Sequence, residues 1–270
     1  MTKVEDAGMA TGSPESQAEG ILGSLDGRRL VVLLDYDGTL SPIAPRPEDA
    51  LLPAATREVL HRLGERWLTA VISGRSLADV RSLVGLDHVL YAGNHGLEIE
   101  GPAGSGIRRN LAEDFVPDVA AAAAELDAAL ADVDGSLVED KRYSLSVHYR
   151  LVAPEQVSAV EAAVDAAVAR HPKLRKRLGK KVLELRPGLD WDKGKAVRWL
   201  LDTLDDQGAG LLPVYVGDDV TDEDAFVELV DDGVGVLVSE DPRETAATHR
   251  ILNTEDARRF LARLADGAVA

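Results

Sequence analysis

Five consecutive apolar residues, Leu30-Val31-Val32-Leu33-Leu34, run directly into Asp35-Tyr36-Asp37-Gly38. A strand that is apolar on both faces needs cover on both, as in a parallel sheet flanked by helices. Its abrupt polar end predicts a loop at the carboxyl edge of that sheet, where α/β folds hold ligands. The pattern repeats. Residues 68–72 form a second apolar run ending at Ser73-Gly74-Arg75, and residues 89–92, 213–216 and 235–238 read as further strands. Helices are expected over 54–63, 76–84, 194–204, 221–230 and 255–264, from apolar spacing and start signals. Strands alternating with helices specify an α/β fold with right-handed crossovers.

The middle of the chain has another rhythm. An Ala-rich helix is expected over 114–131, short strands over 136–139 and 143–149, a second helix over 154–170 and a strand over 182–185. Strand pairs mixed with helices indicate a small α+β domain inserted into the sheet domain. The boundaries fall near 101–106 and 187–191, so that residues 27–105 and 188–270 form the core and 106–187 the insert. Residues 1–26 are rich in Gly, Ser, Ala and Glu without periodicity. They read as a mobile tail with at most a short helix around 19–25.

Charge and composition remove several function classes. The 47 acidic residues against 30 basic ones give a formal net charge of -17, which argues against nucleic acid as a partner. An anionic substrate would need local cations to overcome that field. The absence of cysteine excludes a disulfide scaffold, cysteine catalysis and cysteine-ligated zinc. No stretch approaches the ~20 apolar residues of a membrane span, and the N-terminus lacks a signal-peptide pattern. A soluble, cytoplasmic protein with no membrane partner is expected. The oligomeric state is left open, with a monomer favoured.

Four segments carry chemistry: Asp35 and Asp37, Ser73 with Gly74 and Arg75, Lys193, and Asp218-Asp219. Each follows an expected strand or opens an expected helix. Alone, an Asp-x-Asp-Gly is a turn, a Ser-Gly a helix cap, a lysine a solvated side chain and an acidic run a helix start. Together they form a phosphoryl-transfer set. A carboxylate can attack phosphorus and split one hard step into two. Asp35 and Asp218 offer the hard oxygens that Mg²⁺ prefers. Ser73 and the amides of Gly38 and Thr39 can donate to phosphate oxygens, and Lys193 can neutralise phosphate and nucleophile. Asp37, two residues beyond Asp35, is placed to protonate a leaving oxygen and then deprotonate water.

These segments resemble the four motifs of the haloacid dehalogenase superfamily of aspartate-nucleophile phosphotransferases. The matches are Asp35-Tyr36-Asp37-Gly38-Thr39-Leu40, then Val71-Ile72-Ser73-Gly74-Arg75, then Lys193 in Asp192-Lys193-Gly194-Lys195-Ala196. The fourth is Gly217-Asp218-Asp219-Val220-Thr221-Asp222-Glu223-Asp224. The resemblance implies a Rossmann-like core with a parallel sheet and an inserted cap. It makes Asp35 nucleophile and metal ligand, and Asp37 acid/base with its carbonyl on Mg²⁺. Ser73 and Lys193 would hold phosphate, Asp218 would bind the metal, and Asp222 would support it or bind it through water.

A narrower resemblance is to the trehalose-6-phosphate phosphatases. It rests on the form of the fourth motif, Ser41-Pro42-Ile43, Gly93-Asn94-His95-Gly96, Val138-Glu139-Asp140-Lys141, His148-Tyr149-Arg150 and Leu183-Glu184-Leu185-Arg186-Pro187. It implies hydrolysis of trehalose 6-phosphate in trehalose biosynthesis, by a stand-alone phosphatase whose cap closes over the sugar. Gly74, Arg75 and Asn94 join the phosphate and substrate contacts. Glu139, Lys141 and Glu184 would grip sugar hydroxyls, as paired carboxylates and a cation can. His95 reads as a loop histidine rather than a catalyst.

Other readings keep the same residues. The substrate could be sucrose phosphate, a mannosyl-phosphoglycerate or a monosaccharide phosphate. A signalling receiver also joins a phospho-accepting Asp to Mg²⁺, a hydroxyl and a Lys, but here the acidic pair comes last and Asp37 adds an acid/base. A non-catalytic sugar-phosphate sensor has no use for intact Asp35 and Asp37.

Overall fold

In the computed structural model, which describes residues 9–10, 12–205, 208 and 210–267, side-chain alternation along the first strand decides the layering. Leu30, Val32 and Leu34 enter one apolar cluster and Val31 and Leu33 another, as the two-residue period of a strand requires. Both faces are therefore covered, as the uninterrupted apolar run predicts.

The chain divides into two units, Met1–Arg108 with Trp191–Ala270, and Arg109–Asp190. The first begins with α1 (Pro14–Gly23), β1 (Arg29–Leu34), α2 (Ala54–Arg66), β2 (Leu68–Ile72), α3 (Leu77–Val84), β3 (Leu90–Gly93), β4 (Glu98–Glu100) and β5 (Arg108–Asn110). The second holds α4 (Val116–Ala129), β6 (Leu137–Asp140), β7 (Leu145–His148), α5 (Val157–Arg170), β8 (Leu174–Gly179) and β9 (Val182–Pro187). The first resumes with α6 (Lys193–Leu204), β10 (Leu211–Gly217), α7 (Glu223–Glu228), β11 (Val234–Val238), β12 (His249–Ile251) and α8 (Thr254–Asp266).

The large sheet has the order β12-β11-β10-β1-β2-β3-β4, with β5 at the outer edge. Pairing is parallel from β12 to β3 and antiparallel between β3 and β4. Helices α1, α2, α3 and α8 supply Ile21, Leu60, Leu63, Val80, Phe260 and Leu264 to one face. The other face takes Val197 and Leu200 of α6 and Phe226 of α7. This is an α/β architecture with a parallel-dominated sheet.

Strand β1 lies between β10 and β2, with Leu34 level with Val216 and Val71. Asp35 extends the β1–β10 ladder by one bond, its amide donating to the Val216 carbonyl at 2.9 Å. Asp35, Ser73 and Asp218 thus leave three adjacent strands at the same edge.

The inserted unit is an antiparallel sheet of order β6-β7-β9-β8. Its apolar face (Leu145, Val147, Leu183, Leu185) packs with Val119, Leu126, Val160 and Val164 of α4 and α5. Strand alternation puts Glu139, Ser146, His148, Glu184 and Arg186 on the opposite face.

Four strands escape the sequence reading. Strands β4, β5 and β12 are three residues each, too short to show a period. Strand β8, Leu174-Arg-Lys-Arg-Leu-Gly179, is an edge strand rich in cations, which blunts pairing with other chains and also hides the β pattern. The expectation of a mobile tail over residues 1–26 needs correction. Ser13 caps α1 by accepting from the Ser16 amide, and Ala18 and Ile21 are buried. Glu15 pairs with Arg259 at 2.7 Å and Glu19 with Arg263 at 2.9 Å, while the Gln17 side-chain amide donates to the Arg250 carbonyl at 3.0 Å. The low complexity conceals an apolar stripe too sparse to read without α8 opposite it. Residues 1–8 and 11 of that expectation lie outside the described residues. No helix among the described residues is long and apolar enough to cross a membrane.

Docking of α1 predicts that Ile21→Ala lowers the unfolding free energy by about 2–5 kcal/mol in urea titration. An unchanged midpoint would mean that the helix contributes nothing to the core.

Candidate active site

The end of β1 delivers Asp35, the end of β10 delivers Asp218, and the first turn of α6 delivers Lys193. Asp192 starts that helix, its side chain accepting from the Lys195 amide at 2.8 Å. A buried lysine needs partners. The Lys193 ammonium, 2% exposed, donates to Asp35 Oδ1 and to Asp222 Oδ1, both at 2.7 Å.

Asp222 is 0% exposed. Its Oδ1 also accepts from the Tyr215 hydroxyl at 2.7 Å, and its Oδ2 accepts from the Asp219 amide at 2.9 Å. With so many lone pairs engaged, it serves mainly to fix Lys193 and the Asp218–Asp222 turn. Tyr215 is absent from the sequence reading, because a tyrosine within the apolar run 211–216 looks like core. Its only signal is the Asp pair two residues past the strand end.

Oxygens of Asp35, Asp218 and Asp222 lie within 4.8 Å of one another. Three buried carboxylates gather beside the Lys193 ammonium here, which bridges Asp35 and Asp222. Burial lifts the Asp35 carboxyl well above the usual range; Lys193 opposes this, and Asp222 and Asp218 add to it. At Asp222 burial also favours the neutral form, but Lys193 and the hydrogen bonds prevail and hold it low. Burial works against the Lys193 charge, and the Asp222 and Asp35 carboxylates more than offset that and keep it protonated. Three carboxylate oxygens this close together suit a hard divalent cation and oxygen ligation.

Backbone shape permits this crowding. Gly38 has φ +82°, and a Cβ there would sit 2.3 Å from an Asp218 carboxylate oxygen. At Gly217 a Cβ would meet the Asp222 carboxyl carbon at 2.4 Å. Both glycines of the two motifs are therefore required by close approach. The Thr39 hydroxyl is buried and has no hydrogen-bond partner among the described residues, an orphan donor beside Gly38 that a phosphate oxygen would satisfy.

Ser73 is buried, and its Oγ accepts from the Arg75 amide at 3.1 Å. Asn94 and His95 follow with φ 50° and 56°, a costly left-handed pair. Two bonds hold them, from the Asn94 amide to the Arg75 carbonyl at 2.7 Å and from the His95 amide to the Ser73 carbonyl at 2.9 Å. The Asn94 side chain donates to Glu98 at 2.8 Å, and the His95 ring packs over Gly74, 2.7 Å from where a Cβ would stand. The Arg75 guanidinium forks onto Asp37 at 2.8 Å through two nitrogens and also binds Asp79. Burial opposes its charge, but Asp37 and Asp79 hold its pKa above even the usual arginine value. Burial pushes the Tyr36 hydroxyl up to about 12, against the opposing pull of the Arg75 charge.

The remaining expected residues gather in the inserted unit. Lys141 Nζ lies 3.8 Å from Glu139 and 3.9 Å from Glu184. His148 meets Glu139 at 2.8 Å, and Ser146 reaches Glu184 at 3.5 Å. Arg186 donates through Nε to Glu184 at 2.7 Å. The expected triad is thus one cluster on the polar sheet face, extended by His148 and Arg186.

Comparison with known proteins gives the family and the fold. Residues 33–255 match the family model described as Trehalose-phosphatase. The chain is 38% identical to the trehalose 6-phosphate phosphatase RA3 of Zea mays, over 93% of this chain and 74% of that protein. It superposes on the C-terminal domain of C. albicans trehalose-6-phosphate phosphatase with TM-score 0.78 and 23% identity, covering 95% of this chain and 98% of that one. A haloacid dehalogenase-like hydrolase from Bacteroides thetaiotaomicron shares the fold at TM-score 0.59 and 16% identity, with 86% and 98% covered.

Lys193→Met would leave two buried carboxylates, Asp35 and Asp222, without the cation that bridges them. The expected cost is about 3–5 kcal/mol, measured by urea unfolding in EDTA. A cost below about 1 kcal/mol would show that Lys193 does not hold the cluster together.

Proposed function

The chain belongs to the trehalose-phosphatase family, and we propose that it hydrolyses trehalose 6-phosphate to trehalose and inorganic phosphate. The observation that carries this reading is the buried Asp35–Lys193–Asp222 chain with Asp218 beside it, at the carboxyl edge of the central strands.

Asp35 is the nucleophile. Its carboxylate oxygen bonds to phosphorus while the bond from phosphorus to the sugar oxygen breaks, and Asp37 gives its proton to that oxygen. Trehalose leaves. Asp37 then takes a proton from water, the water oxygen bonds to phosphorus, and the aspartyl ester opens to regenerate Asp35. Lys193 balances charge on the nucleophile and on the phosphoryl oxygens. Ser73, the Thr39 hydroxyl and the amides following Asp37 donate to those oxygens, with Gly74 and Asn94 shaping the turn that presents them. Asp35, Asp218 and the Asp37 carbonyl would hold Mg²⁺, supported by Asp222, and the ion would supply further compensation of phosphoryl charge. Sugar hydroxyls fall to Glu139, Lys141 and Glu184, whose paired acceptors and ammonium suit a polyol.

Phosphate release with Mg²⁺ from trehalose 6-phosphate, sucrose 6-phosphate, glucose 6-phosphate and an aryl phosphate tests the reading. Strong preference for the first, abolished by EDTA, is expected, whereas preference for another sugar phosphate would refute the substrate. Asp35→Asn should abolish turnover, and full activity of that variant would sink the mechanism. Glu139→Ala and Glu184→Ala should each raise KM for the sugar phosphate with little change on the aryl phosphate; an unchanged KM removes them from sugar recognition.

A further inference from the structure

Arg75 was expected among the phosphate contacts, yet its guanidinium is engaged elsewhere. It is 6% exposed. Nε donates to Asp37 Oδ2, Nη2 to Asp37 Oδ1 and to the Pro47 carbonyl, and Nη1 to Asp79 Oδ2, all at 2.8 Å. Four of the roughly five donors of a guanidinium are thus committed. Two carboxylates already balance its charge, and the Tyr36 ring lies 5.3 Å from it. Tyr36 is pinned in turn, its hydroxyl donating to the Ala50 carbonyl at 3.0 Å.

We infer that Arg75 is a positioning residue, which holds the Asp37 carboxylate at the orientation needed to exchange a proton with the sugar oxygen and then with water. The inference rests on the phosphatase reading above and assigns a part of that reaction.

The geometry suits the task. The fork restrains both Asp37 oxygens, while the Asp37 side chain stays 41% exposed and that of Arg75 only 7%. Asp37 is therefore held from the buried side and open on the other, and each oxygen keeps lone pairs for a reacting partner. A general acid or base must come within about 2.6–3.2 Å of its proton, and an error near 1 Å can cost about 10²-fold. An aspartate in an exposed loop would otherwise sample several rotamers. Arg75 itself is rigid, because Asp79 of α3, the Pro47 carbonyl and Tyr36 fix the plane of its guanidinium. A lysine could carry the charge but not the fork.

The test compares two leaving groups. A sugar alkoxide needs a proton to depart, while 4-nitrophenolate departs without one. The parameter kcat/KM covers events through loss of the leaving group, so the later water step does not blur it. Arg75→Lys is expected to lower kcat/KM by about 10²-fold on trehalose 6-phosphate and by under about fivefold on 4-nitrophenyl phosphate. Asp37→Asn should show the same split, and the double variant should lose no more than Asp37→Asn alone. Asp79→Ala loosens only the far anchor of Arg75 and should show the split at a few-fold, which keeps the test open if Arg75→Lys melts early. Equal losses on both substrates with an additive double variant would overturn the inference and leave Arg75 a structural clamp. A raised KM on both, with weaker inhibition by inorganic phosphate, would return Arg75 to the phosphate contacts. An unmutated protein inactive on both esters would instead overturn the phosphatase reading itself.

Discussion

A single buried ammonium ties the large unit together at its reactive edge. Lys193 binds Asp35 from β1 and Asp222 from the turn after β10, each at 2.7 Å. Burying such charges costs several kcal/mol per ion unless geometry and further hydrogen bonds compensate. Here they do, through the Tyr215 hydroxyl and the Asp219 amide on Asp222. Burial still raises the Asp35 pKa, with Lys193 opposing and Asp222 and Asp218 adding to it. Perturbed carboxyls concentrate at functional positions, and the Asp35, Asp218 and Asp222 oxygens stand close enough to hold a cation.

The loops around that ammonium hold their shape by close approach rather than by size. Gly38 and Gly217 leave room for the Asp218 and Asp222 carboxylates. Loop 240–247 is tied back as well. Glu223 accepts from Thr245 Oγ1 and the Ala246 amide, both at 3.0 Å, and Arg243 bridges Glu223 to the Asp219 carbonyl. Asp222 and Glu223 of the acidic motif are thus each tied to several partners.

The inserted unit uses the same physics more gently. Its polar sheet face carries alternating signs, His148, Glu139, Lys141, Glu184 and Arg186, with His148–Glu139 and Arg186–Glu184 in direct contact and Lys141 3.8–3.9 Å from both carboxylates. Such an array offers both donors and acceptors, whereas the Asp35 cluster combines buried carboxylates with one ammonium.

Much of this was legible in the residues. The two-sided apolar run 30–34 required a covered parallel strand, and the polar ends of the strands placed Asp35, Ser73 and Asp218 at one edge, because strand period and crossover handedness are local rules. The alternation of Leu183, Glu184 and Leu185 likewise showed which face would be polar. Other features depended on partners distant in sequence. Helix α1 needed α8 to reveal its apolar stripe, Tyr215 needed Asp222 to become more than core, and the charged edge strand β8 needed β9 beside it. Arg75 shows the limit most clearly. Its place after Ser73-Gly74 suggested phosphate, but the choice between phosphate and Asp37 is made by which oxygens lie within reach of a planar fork. Sequence determined the chemical inventory and the strand ends that carry it; only the tertiary structure decided which charge pairs with which, because ion pairing depends on distance and burial, neither of which is local to the chain.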